Sequence, residues 1–97
     1  MRLQNALPEA TVVDPISFTA TDVTGTNVLE FSAVDGYRNA GDIAMSVAEA
    51  MELPLNTPWA LRDDEHARML EPASPLGSQV NPGAKLVVIP KSHLGTN

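Results

Sequence analysis

The chain has 97 residues, no cysteine, 43% hydrophobic residues and a formal net charge of -6, from 12 Asp and Glu against 6 Lys and Arg. That length allows one small domain, which must commit most of its apolar residues to the core, because small folds bury only about 60–65% of the surface their unfolded chains expose. The missing cysteines exclude a disulfide staple, a thiolate nucleophile and Cys-containing zinc sites. The acidic balance argues against nucleic acid and against anionic membrane surfaces as partners.

Residues 1–15 carry Pro8 and Pro15 with mixed polarity and no sustained period, so they are expected to be a flexible N-terminal extension. Met1 to Pro8 has one basic residue but no apolar run of signal-peptide length. Nowhere do about 18 apolar residues run together. The expectation is a soluble protein kept in the cytoplasm.

Ile16-Ser17-Phe18-Thr19-Ala20-Thr21 alternates apolar and polar residues and is rich in strand formers. Asp22 to Asn27 reads as a turn in which Gly25 can take positive φ. Val28 to Val34 alternates again, which places Leu29, Phe31 and Ala33 on one face and Glu30 and Ser32 on the other; the two runs predict a β-hairpin. After an Asp35-Gly36 loop the period changes. Ile43, Val47 and Met51 recur every fourth residue beside Ala44, Ala48 and Ala50, which predicts an amphipathic helix of about three turns. Asn39 or Asp42 can cap its start, and Pro54 stops it. The methionines in it are expected to pack in the core.

Trp59 to Arg62 reads as a short strand, Asp63 to Ala67 as an exposed turn and Arg68 to Leu70 as a second short strand. Glu71 to Ser78 is a loop with room for one helical turn, and Asn81-Pro82-Gly83-Ala84 is a strong turn signal. Lys85-Leu86-Val87-Val88-Ile89 is the most β-prone run and belongs in mid-sheet, next to and parallel with the first strand. Pro90 is expected to end it, and residues 91–97 to trail off as a flexible tail. The domain proper is thus placed at residues 16–90, an α+β fold in which one helix lies across a mixed sheet of four to five strands.

No catalytic constellation emerges. His66 and His93 lie in the expected turn and tail, neither with another histidine or a carboxylate at a helical metal-binding spacing. Asp63-Asp64-Glu65 lacks the spacing of a calcium loop. There is no GxGxxG, P-loop or GxSxG motif, and Trp59 reads as a core-edge residue or an exposed anchor. Neither a metal nor a cofactor is expected, and the protein is not expected to be an enzyme.

The order of elements (strand, Gly turn, strand, helix ending in Glu52-Leu53-Pro54, short strand, turn, Pro/Gly loop, final strand) resembles the β-grasp fold of ubiquitin over roughly Ile16 to Gly95. The helix end Ala48 to Pro54 is also similar to that of the small ubiquitin-like proteins of bacterial type VII secretion systems. Ubiquitin-like modifiers end in glycine on a tail beyond the last strand, because a residue without Cβ can thread the confined channel in which its carboxylate is activated. Laid on ubiquitin's last turn and strand, Gly95 falls at the terminal glycine, preceded by Leu94 where the family usually shows a second glycine.

The chain thus resembles the bacterial ubiquitin-like modifiers encoded with activating, conjugating and JAB-type peptidase enzymes, and the resemblance implies a precursor. A peptidase of the JAB metallopeptidase type would remove Thr96-Asn97, an activating enzyme would adenylate Gly95, and a conjugating enzyme would pass it to an amine of a target protein. It implies further that His93 and Leu94 are recognised in the tail. Partners would meet the sheet face opposite the helix, where strand alternation puts Ala60, Arg62, Val87 and Ile89, unless the N-terminal extension or a loop buries Val87 and Ile89. A non-covalent β-grasp module, such as a type VII secretion component, and a sulfur carrier are the alternatives.

Overall fold

Strands form where the sequence alternates with period two. In the computed structural model, which describes residues 15–91, β1 (Pro15–Asp22) buries Ile16, Phe18 and Ala20 on one face. β2 (Val28–Asp35) returns antiparallel to it. Then follow α1 (Ala40–Ala50), β3 (Trp59–Asp63), β4 (Arg68–Met69), a 3-10 turn at Leu76–Ser78 and β5 (Ala84–Pro90). The five strands make one mixed sheet in the order β2-β1-β5-β3-β4. β5 runs parallel to β1 and antiparallel to β3, so the most apolar run of the chain is the central strand, as expected. Pro90 is the last residue of that strand and pairs with Trp59, and the Lys91 amide still donates to the Pro58 carbonyl. Pro15, expected in the extension, is already the first residue of β1.

α1 packs on one side of this sheet. Its four-residue rhythm buries Ile43, Val47 and the C-cap Met51 with Ala40, Ala44 and Ala48, against Phe18, Ala20, Leu61, Leu86 and Val88. Ala50 is exposed. Asn39 is the N-cap through its backbone, whose carbonyl accepts from the Ile43 amide; its side chain makes no capping bond. Asp42 sits in the first turn, where the helix dipole favours a carboxylate. At the other end the Leu53 amide donates to Ala48 and the Glu52 amide to Glu49, while Glu52 takes φ +60°. This pair of bonds satisfies the last carbonyls, with Glu at the position that usually belongs to glycine.

Two expectations change. In β2 the pairing shifts between Phe18↔Phe31 and Ile16↔Val34, and Ala33 stands at φ +57°. This bulge breaks the alternation, so Val34 rather than Ala33 joins Leu29 and Phe31 against the core, and Ala33 is exposed. Phe18 and Phe31 stack with ring centroids 5.1 Å apart. The second change is Asp63, expected in an exposed turn. It belongs to β3, follows Trp59 and Leu61 on the helix-side face, and its side chain is 2% exposed.

Candidate functional site

The outer face of the sheet follows from pairing. Ala60 stands opposite Ile89 and Arg62 opposite Val87, while Thr21 of β1 pairs with Val87 and Thr19 with Lys85. The four residues expected on the partner face therefore do share one patch. Their exposures differ: Ala60 (4%) and Ile89 (8%) are buried although neither belongs to the core under the helix, whereas Arg62 and Val87 are half-buried. The patch is thus less apolar at its surface than its composition suggests. Arg62 donates to Asp64 at 2.8 Å, a solvent-exposed ion pair of small energetic value, and its Nε is buried without a partner.

A depression of about 330 Å³ opens on this face, lined by Arg62, Asp64, Val87 and Ile89 on one side and by Thr21 and the β1–β2 turn on the other. From that turn Val23, 54% exposed, forms part of its rim. Sequence reasoning missed Val23 because it lies among turn formers. The available signal was an isolated branched apolar residue two positions beyond Thr21, the last residue of the alternating run.

The turn holding Val23 is built on Asp22. Its Oδ1 accepts from the Thr24 hydroxyl (2.8 Å) and from the Thr26 and Asn27 amides (3.1 and 3.4 Å), and its Oδ2 accepts from the Asn27 side-chain amide (2.7 Å). Gly25 takes φ +76°, which closes the loop without steric cost. The Thr24 bond foremost, with those from Asn27 and Thr26, holds the Asp22 carboxyl below its ordinary value although partial desolvation opposes it.

A second carboxylate closes the β3–β4 turn. Asp63 accepts from the Glu65 and His66 amides (3.0 and 3.3 Å) and from the His66 ring Nδ1 (2.7 Å). Burial alone would raise the Asp63 carboxyl, but His66, by hydrogen bond and charge, and the turn amides outweigh it and leave it lowered. His66 therefore has a carboxylate partner three residues back, in a turn rather than on a helix. Among the described residues no group of three or more His, Asp and Glu is placed to hold a metal ion. Trp59 is a core-edge residue, 8% exposed, whose indole N–H donates to the Pro54 carbonyl at 2.7 Å. No helix among the described residues is long and apolar enough to cross a membrane.

The tail residues His93, Leu94, Gly95 and Thr96, which carry the expected processing and conjugation sites, lie outside the described residues. The structure therefore brings together the outer face and adds Val23 to it.

No protein-family model and no curated protein matches the sequence. Among solved structures the chain is similar to the ubiquitin of Caldiarchaeum subterraneum, with 24% identity and a TM-score of 0.64 over 80% of this chain and 95% of that one. It is similar also to a ubiquitin-like domain of an Arabidopsis thaliana protein (14% identity, TM-score 0.64, 100% and 99% covered). A third likeness is to the ubiquitin-like domain of Plasmodium falciparum Dsk2 (13% identity, TM-score 0.61, 78% and 97% covered). The chain has the ubiquitin-like β-grasp fold, of the α+β class.

Proposed function

We propose that the protein is a ubiquitin-like modifier, made as a precursor and conjugated through the carboxylate of Gly95. The observation that carries this reading is the end of the central strand. β5 closes at Pro90 between β1 and β3, and five further residues, Lys91 to Gly95, follow it, enough to span about 17 Å when extended. Hydrolysis of the Gly95–Thr96 bond, by a peptidase of the JAB metallopeptidase type, frees the carboxylate. That carboxylate attacks the α-phosphate of ATP and releases pyrophosphate. A thiol of the activating enzyme then displaces AMP, and after passage to a conjugating enzyme an amine of the target displaces the thiol. The chain itself supplies no thiol, which suits a protein that is cargo and not catalyst. His93 and Leu94 serve tail recognition, Arg62 and Val87 with the edges of Ala60 and Ile89 serve docking, and the pathway operates in the cytoplasm.

The test is the mass of the protein recovered from its native cell and after incubation with its activating enzyme, the peptidase and ATP. A species ending at Gly95, a thioester on the enzyme and the loss of both conjugation and thioester in Gly95→Ala are expected. A mass that never drops by Thr-Asn, with Gly95→Ala behaving as wild type, overturns the reading. The likeness to ubiquitin-like domains of other proteins favours as second reading a non-covalent module, which would remain active when truncated after Pro90.

A further inference from the structure

We infer that a groove at the N-terminal end of β1 is a docking site for this chain's own residues 10–13, bound in cis. The groove holds about 450 Å³ and is lined by the start of β1, the β2–α1 loop and the stretch between the 3-10 turn and β5. Its place follows from the sheet order β2-β1-β5. Gly36 and Tyr37 flank it from the β2 side, just beyond Asp35, the partner of Pro15. Asn81 and Pro82 flank it from the β5 side, just ahead of Ala84, the partner of Phe18. The groove thus lies on the prolongation of β1. A residue before proline favours extended backbone, so Asp14 directs the chain ahead of Pro15 along that line.

The walls are tied together by backbone bonds, so the groove is preformed. The Gly77 amide donates to the Gly36 carbonyl and the Leu76 amide to the Arg38 carbonyl, each at 2.8 Å, and the Gly83 amide donates to the Ser17 carbonyl at 2.7 Å. Pro75, Val80 and Pro82 make the lining apolar, and Tyr37 is 61% exposed. An apolar groove open to water marks a binding site. The sequence supplies what fills it: Ala10-Thr11-Val12-Val13 is an uncharged, β-prone run between the carboxylates Glu9 and Asp14. Val12 is three residues from Pro15, a reach of about 10 Å, which places both valines within the groove. A segment tethered at the groove's own edge has an effective concentration on the order of millimolar, so even weak contacts are saturated in cis. This docking does not depend on conjugation through Gly95. The groove also shares no lining residue with the depression on the outer face, so Val87 and Ile89 stay uncovered by it.

The experiment uses the full chain, which has no cysteine, so that Glu9→Cys accepts a single nitroxide label beside the segment. Amide signals of Gly36, Tyr37, Gly77 and Val80 should be lost to paramagnetic broadening, while those of Arg62, Asp64 and Val87 keep their intensity. Val12→Asp with Val13→Asp leaves the tether length unchanged and should restore the groove signals. Tyr37→Ala, made from the groove side, should restore Gly77 and Val80 as well, and it carries the test if the valine changes disturb the fold. Groove signals that stay sharp in the labelled chain, or stay broadened after these changes, overturn the docking. Broadening passed to a nitroxide-free ¹⁵N chain mixed with the labelled one shows a second copy as the occupant, and broadening of Val87 shows that the segment lies on the outer face; either result overturns binding in cis at this groove. None of these readouts uses the activating enzyme, so a chain that is never loaded overturns the modifier reading and leaves the groove's occupant standing.

Discussion

The β1–β2 and β3–β4 turns are closed by the same device, an aspartate at a strand end that gathers donors from the turn, yet the two differ in chemistry and depth. Asp22 draws on a hydroxyl, a side-chain amide and two backbone amides. Asp63 draws on two backbone amides and an imidazole, and it lies with its side chain on the buried face. Both carboxylates are buried, Asp63 the deeper at 2% exposure against 9% for Asp22, but Asp22 gathers only neutral donors whereas Asp63 adds an imidazole. The difference separates a turn closed by hydrogen bonds alone from one closed in part by charge.

Removing Asp63 should have the larger effect. Asp63→Ala leaves two turn amides and an imidazole without their acceptor and opens a gap at a buried position, costing about 1–3 kcal/mol. For a domain of this size that is a fall in Tm of about 4–8 °C per kcal/mol, measured by thermal unfolding. Equal losses in Asp22→Ala and Asp63→Ala would erase the distinction between the turns.

Acid should reveal both carboxylates. Each has its folded-state value below the ordinary 3.8, so its contribution is present above that value and is lost as pH falls through the lower, folded one. Unfolding free energy should therefore drop steeply below about pH 3.8 in wild type and less steeply in Asp63→Asn and Asp22→Asn. Parallel curves would show that neither carboxylate is held down by the fold. The smallest effect belongs to His66→Ala. The ring is 61% exposed and Asp63 keeps its two amide donors, so the loss should stay below about 1 kcal/mol by the same thermal measurement.

Much of this architecture was legible because periodicity reports burial. The four-residue spacing of Ile43, Val47 and Met51 located the helix face, and the unbroken Leu86 to Ile89 run located the central strand. Alternation alone put Ala60, Arg62, Val87 and Ile89 on one face. It failed at Ala33 and Val34, because a bulge inserts a residue and moves the inward position by one, and no residue type there announces it. It failed at Asp63, because an acidic run reads as solvated surface; the continuing alternation from Trp59 through Leu61 was the overlooked sign. Val23 escaped notice because its place beside the depression depends on the distant strands β3 and β5, whose approach no local pattern encodes.

The parallel pairing of β1 with β5 has a consequence for the making of the protein. The pairs from Phe18↔Ala84 to Asp22↔Val88 join residues more than sixty positions apart, so the sheet closes only by a loop that encloses nearly the whole domain. Contacts of such separation form slowly and late. A chain still emerging from the ribosome has a hairpin and a helix but no centre for them to pack upon. The cooperative fold then becomes available only when synthesis has reached Pro90, and an interrupted chain stays open to proteolysis.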